Sequence, residues 1–194
     1  MSPVLGSLTA MAAVTIPLRE LTIADLHGFP ADGNRYELIQ GSLHVNPAPN
    51  FRHQRASGNL FDRLRAACPP LLEVLAAPYD VILGPATLVQ PDLIVVSTGD
   101  LETQESHALP LLAVEILSPS SRQYDRGTKR LAYQEAGVAS YWIVDPEEPS
   151  VTTIDWSGGQ LLDERTSTGT DTIVVEQPFA VTLRPADLLL PSRG

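Results

Sequence analysis

Apolar and polar positions along this chain follow two periods, and each period marks its own kind of element. From Leu111 to Leu117 every residue is aliphatic except Glu115, the pattern of a strand buried on both faces. The segment RYELIQGSLHVNPAP predicts a hairpin, with one strand running to Gln40, a turn at Gly41-Ser42 and a second strand ending in prolines. LLEVLAAPYDVIL and TLVQPDLIVVS predict further strands, as do ASYWIVDPEEPSVTTIDW and the segments after it, with turns at residues 146–149 and at Gly158-Gly159. Helical spacing appears in three places. LTIADLHGFP predicts a short helix capped by Thr22 and stopped at Gly28-Phe29-Pro30. Residues 51–67 place Phe51, Leu60, Phe61 and Leu64 at helical intervals before Pro69-Pro70. SSRQYDRGTKRLAYQEAGV predicts a helix with Ser120 or Ser121 as N-cap and Gly137 as its stop. The sum is a mixed α/β domain, a helix–strand–helix–strand core wrapped by hairpins.

Composition narrows this picture only in places. A length of 194 residues fits one domain, expected over residues 19–194, with residues 1–18 as a flexible leading segment. A formal charge of −10 argues against a broad basic face for nucleic acid, though not against a local cleft lined by a few cations. The single cysteine, Cys68, allows no disulfide framework within the chain and suits a reducing cytoplasm. No apolar run reaches the length of a membrane span, and the leading segment lacks the basic start of a secretory signal.

Candidate chemistry enters with three acids set among aliphatics: Glu37 in RYELI, Asp92 in QPDLIVV and Glu115 in AVEIL. One such carboxylate is ordinarily a solvated strand-end residue. Three together point to a divalent cation, because convergent carboxylates repel unless something neutralises them, and an all-oxygen set suits Mg²⁺ or Mn²⁺ better than zinc. The following helix adds Asp125, Lys129 and Tyr133 at i, i+4 and i+8, one stripe on one face. Taken alone, Asp125 and Lys129 read as a surface pair. Geometry predicts more. Three strand residues beyond Glu115 cover roughly 10 Å at about 3.3 Å each. Seven helical residues from Arg122 to Lys129 return roughly the same distance at about 1.5 Å each. A helix that folds back along the sheet therefore brings Lys129 to the level of Glu115.

The ordered set YELIQGSL, NPAPNFRHQ, QPDLIVV, AVEILSPSS and DRGTKRLAYQEAGVASYWIVD resembles the Uma-type restriction endonuclease family of the PD-(D/E)XK nuclease superfamily, over residues from about 20 to about 160. The resemblance implies a restriction-endonuclease-like core, a mixed central sheet flanked by helices, and Mg²⁺-dependent hydrolysis of DNA phosphodiesters. It implies Pro91-Asp92 as the PD element and Glu115 as the following acid. The cation would be held by Asp92, Glu115 and the backbone carbonyl of Ile116, with Glu37 acting through water or orienting the attacking water. The superfamily's usual lysine, two residues after the acid, falls at Leu117, and Lys129 is the expected replacement. His53 stands where the family tends to carry a histidine, and Gln54, Arg52, Asp125 and Tyr133 are expected to support the site or the substrate.

Arg55, Arg122, Arg126 and Arg130 are further local cations, or else a solvated helix face. His27, His44 and His107 show no metal-ligand spacing, and the serines of SPSS lack a G-x-S-x-G setting. Two readings compete: a cytoplasmic, homodimeric DNA endonuclease, or the same fold retained as an inactive binding or assembly module. A hydrolase of another phosphate ester is a third.

Overall fold

The computed structural model describes residues 19–101 and 109–191; the expected leading segment, His107 and most of the loop before Leu111 lie outside them. Twelve strands are present among the described residues: β1 Arg35–Ile39, β2 Ser42–Asn46, β3 Leu72–Ala76, β4 Val81–Gly84, β5 Thr87–Val89, β6 Leu93–Ser97, β7 Leu112–Ile116, β8 Ser140–Asp145, β9 Ser150–Ser157, β10 Gln160–Thr168, β11 Ile173–Val175 and β12 Val181–Leu183. The helices are α1 Ile23–Leu26, α2 Phe51–Ala67, α3 Arg122–Tyr124 and α4 Arg130–Ala136, with a π-helical turn, Asp125–Lys129, joining the last two. A six-stranded sheet runs β10-β9-β8-β7-β6-β3, and a four-stranded one runs β2-β1-β5-β4. In the larger sheet only β7 and β8 pair in parallel, Glu115 opposite Ile143, and α3 through α4 make the crossover that such a pair requires.

Alternation along the strands of the larger sheet feeds two cores. Leu93, Val95, Leu112, Val114 and Ile116 pack with Ala56, Leu60 and Leu64 of α2. Ile94, Val96, Ala113 and Leu117 pack on the opposite side with Ala132 and Tyr133 of α4 and with Ile39, Val81 and Val89 of the smaller sheet. The two faces of β7 thus serve two layers, which is why its sequence is apolar at nearly every position. Several details depart from the pattern-based reading. The hairpin turn is Gln40-Gly41, at φ 49° and 75°, with Ser42 already in β2; two positive φ values are what a tight two-residue hairpin turn demands. Phe51 lies on the outer face of α2 at 67% exposure beneath the Arg55 guanidinium, and the buried stripe is His53, Ala56, Leu60 and Leu64. Ser121 precedes α3 without a capping bond from its side chain, and the bond comes from Ser118, whose hydroxyl accepts from Ser121 N–H at 3.1 Å. The π-helical turn had no counterpart in the hydrophobic pattern. Thr22 and Gly137 terminate their helices as expected.

Candidate active site

Four carboxylates, one lysine, one arginine and one histidine meet near the end of β7. Glu37 arrives from β1 and is fully buried. Its Oε1 accepts from Lys129 Nζ at 2.8 Å and from the Gln90 backbone N–H at 2.7 Å, and its Oε2 accepts from Asn46 Nδ2 at 2.5 Å. Glu115 projects from β7 toward α4. Lys129 Nζ donates to its Oε1 at 2.9 Å, and Tyr133 OH to the same oxygen at 2.8 Å. Asp92 sits in the residue before β6. Its Oδ2 accepts from Ile116 N–H at 2.8 Å and lies 3.1 Å from His53 Nε2, and its Oδ1 accepts from Arg35 Nη1 at 2.8 Å. Asp125 completes the group, 3.7 Å from Lys129 Nζ, with a buried Oδ1 that accepts no hydrogen bond.

Burial and charge divide these groups. Burial pushes the Glu115 carboxyl well above the usual carboxylate range; Lys129 opposes this, while Asp125, Asp92 and Glu37 add to it. Burial likewise raises Asp125, against the pull of Lys129. Burial works against the Asp92 charge too, but His53, Arg35 and the Ile116 N–H outweigh it and hold its pKa below the ordinary value. Burial disfavours the Lys129 ammonium, yet Glu115, Glu37 and Asp125 together raise its pKa, so the proton stays on the lysine. One ammonium cannot compensate three carboxylates. Glu115 and Asp125 carry the deficit.

Asp92, Glu115, Ile116, Asp125, Lys129 and His53 line a cleft of about 150 Å³, together with residues 46–50 and 118–121. The hydrogen bonds to Glu115 both end on Oε1, which leaves Oε2 for this cleft. Among the described residues no three of His, Cys, Asp and Glu form a ready-made metal cage. Mg²⁺ does not require such a cage, since it is commonly held by one or two carboxylates together with water and substrate phosphate.

Of the residues picked out from sequence, Glu37, Asp92, Glu115, Ile116, Lys129, His53, Asp125 and Tyr133 are brought together. Arg52 does not join them: its guanidinium donates to the Pro146 carbonyl at 2.6 Å. Gln54 lies in a neighbouring cavity. Arg122 and Arg126 pair with Asp145, and Arg130 pairs with Glu164. Sequence reasoning missed Arg35, Asn46 and the Gln90 N–H. Arg35 had a signal, since it stands two residues before Glu37 and so shares its strand face. Lys129 carried a second, unused signal: it is the sole lysine of the chain.

No curated protein matches this chain in sequence. Its fold is shared with the crystal structure described as a putative nuclease belonging to DUF820 from Anabaena variabilis, at 20% identity and a TM-score of 0.72, over 87% of this chain and 97% of that one. The family model for Uma2, described as "Putative restriction endonuclease", matches residues 23–188, and the chain belongs to that family.

Proposed function

We propose that this chain is a Mg²⁺-dependent endonuclease that hydrolyses DNA phosphodiester bonds, with Mn²⁺ as an able substitute. The observation that carries the reading is one contact set: the chain's sole lysine, buried, donates to Glu115 beside Asp92 in a single cleft. Asp92, Glu115 and the Ile116 carbonyl would hold the cation. When bound, it supplies charge neutralisation at the phosphate and a lower pKa for water.

The chain's own residues do the rest. His53, Arg35 and Ile116 N–H keep Asp92 ionised and fix its two oxygens. Tyr133 fixes Glu115 through Oε1. Glu37 positions Lys129, whose ammonium is available to stabilise charge developing on the scissile phosphate. Cutting both strands of a duplex is met most simply by two copies related by a two-fold axis, so we expect a homodimer; a monomeric mass in sedimentation at micromolar concentration would remove that expectation.

A second reading, a binding module of the same fold, is favoured by one observation: both Asp92 oxygens already have protein partners and need no cation. One experiment separates the two. Supercoiled plasmid is incubated with Mg²⁺ or Mn²⁺ and the wild type, Asp92→Asn or Lys129→Gln, while Mg²⁺ binding is followed by calorimetry. The endonuclease reading expects nicking by the wild type, a fall of about a hundredfold or more in each variant that remains folded, and cation heat that Asp92→Asn loses. Equal rates in all three proteins, or no cation heat in the wild type, favour the binding module.

A further inference from the structure

Arg35, His53 and Asp92 form a wall between two spaces. On one side is the cleft already described, and on the other is a larger cavity of about 470 Å³, within the range of small-molecule sites. The larger cavity is charged only where it adjoins the cleft. Its remaining polar lining is neutral: the Asn34, Gln54 and Gln90 amides and the Ser57 hydroxyl. Its apolar lining includes the small residues Ala76, Ala77 and Pro78. The Gln54 and Ser57 positions are i and i+3 on α2, next to His53, so one helix face presents all three.

Arg35 links the two spaces. Its Nη1 donates to Asp92 at 2.8 Å and to the Gln90 carbonyl at 3.3 Å, while its Nε is buried and unpartnered. Lys129, by contrast, lines only the cleft. Of the two permanent cations lining the cleft, Arg35 is therefore the one that a phosphate at the junction of the two spaces would meet.

We propose that the larger cavity is a nucleoside subsite, taking one unstacked nucleotide of the DNA strand adjoining the cleft: its phosphate on Arg35, its base against the Gln54–Ser57 helix face and the small apolar residues Ala76, Ala77 and Pro78. The charge gradient matches that ligand, an anion at one end and a neutral donor–acceptor edge at the other. A base can enter only if it leaves its stack, so the substrate class is single-stranded DNA or duplex with a displaced base. The inference rests on the endonuclease reading.

The test compares the binding of two fluorescein-labelled oligomers of equal length, one a single-stranded oligodeoxynucleotide and the other base-free, by anisotropy in Ca²⁺ with cleavage monitored alongside. The full chain should bind the base-bearing oligomer about tenfold more tightly, the worth of one or two hydrogen bonds. Gln54→Ala and the cavity-filling Ser57→Trp should each bring that ratio close to one and leave affinity for the base-free oligomer unchanged. Equal affinity for both oligomers, with plasmid nicking intact, overturns the subsite and spares the endonuclease reading. Discrimination that survives both substitutions places the base elsewhere and also overturns it. Absence of DNA binding together with absence of nicking removes both.

Discussion

Lys129 shows how a single residue can be held by charge alone. Its ammonium is 3% exposed and meets three carboxylates at 2.8, 2.9 and 3.7 Å. Such a group is stabilising only while it remains paired, because removing one partner strands buried charge. Lys129→Met should therefore cost about 3–5 kcal/mol in urea unfolding at pH 7. The deficit should narrow as pH falls toward 5. Burial already raises the Glu115 carboxyl, and without the lysine that group takes up its proton at still higher pH, so the folded variant binds more protons than the unfolded chain and gains stability on acidification. A deficit that does not change with pH would mean that the carboxylates around Lys129 are not what it stabilises.

At the scale of elements, the site depends on how α3 is fastened to the end of β8. Asp145, the last residue of β8, is 2% exposed and bonds to both Arg122 nitrogens and to the N–H groups of Glu147 and Glu148. Burial disfavours its charge, but Arg122 and the two N–H groups prevail and lower its pKa. A lowered carboxylate pKa contributes stability that is complete above the unfolded value of about 3.9 and is lost as pH drops through the folded one. Asp145→Asn should cost about 2 kcal/mol at pH 7. Its stability should fall less than that of the wild type between pH 5 and 2, as read from urea midpoints. This junction also marks the limit of what the sequence reveals. Glu37, Asp92 and Glu115 were legible because charge in an aliphatic strand is locally conspicuous, and Lys129 because strand and helix rises nearly cancel. The Gln90 N–H was not, since its role arises from β1 pairing with β5, a tertiary fact, whereas Arg35 and Asn46 lie opposite each other in the predicted hairpin and went unread. Ser121 is the N-cap of α3, but the side-chain bond there comes from Ser118 for a related reason: the turn after β7 begins three residues before α3 does.

For the molecule as a whole, the charge balance and the proposed substrate pull in opposite directions. A net charge of −10 gives no general attraction to DNA, and Arg52, Arg122, Arg126 and Arg130 are each engaged by acceptors of the protein itself. Recognition then falls to the few groups lining the cleft and the cavity beside it, rather than to a basic surface. The sole lysine has a consequence of another kind. An endoprotease specific for lysine has one bond to attack in the entire chain, between Lys129 and Arg130, and that bond lies inside the junction of the π-helical turn with α4, its side chain enclosed by acids. Digestion should therefore yield two fragments in a single step, at a rate set by how often this junction opens. The chain carries its own reporter of site opening. Any ligand that closes the cleft should be detectable as slower cutting, even before a product of catalysis is known.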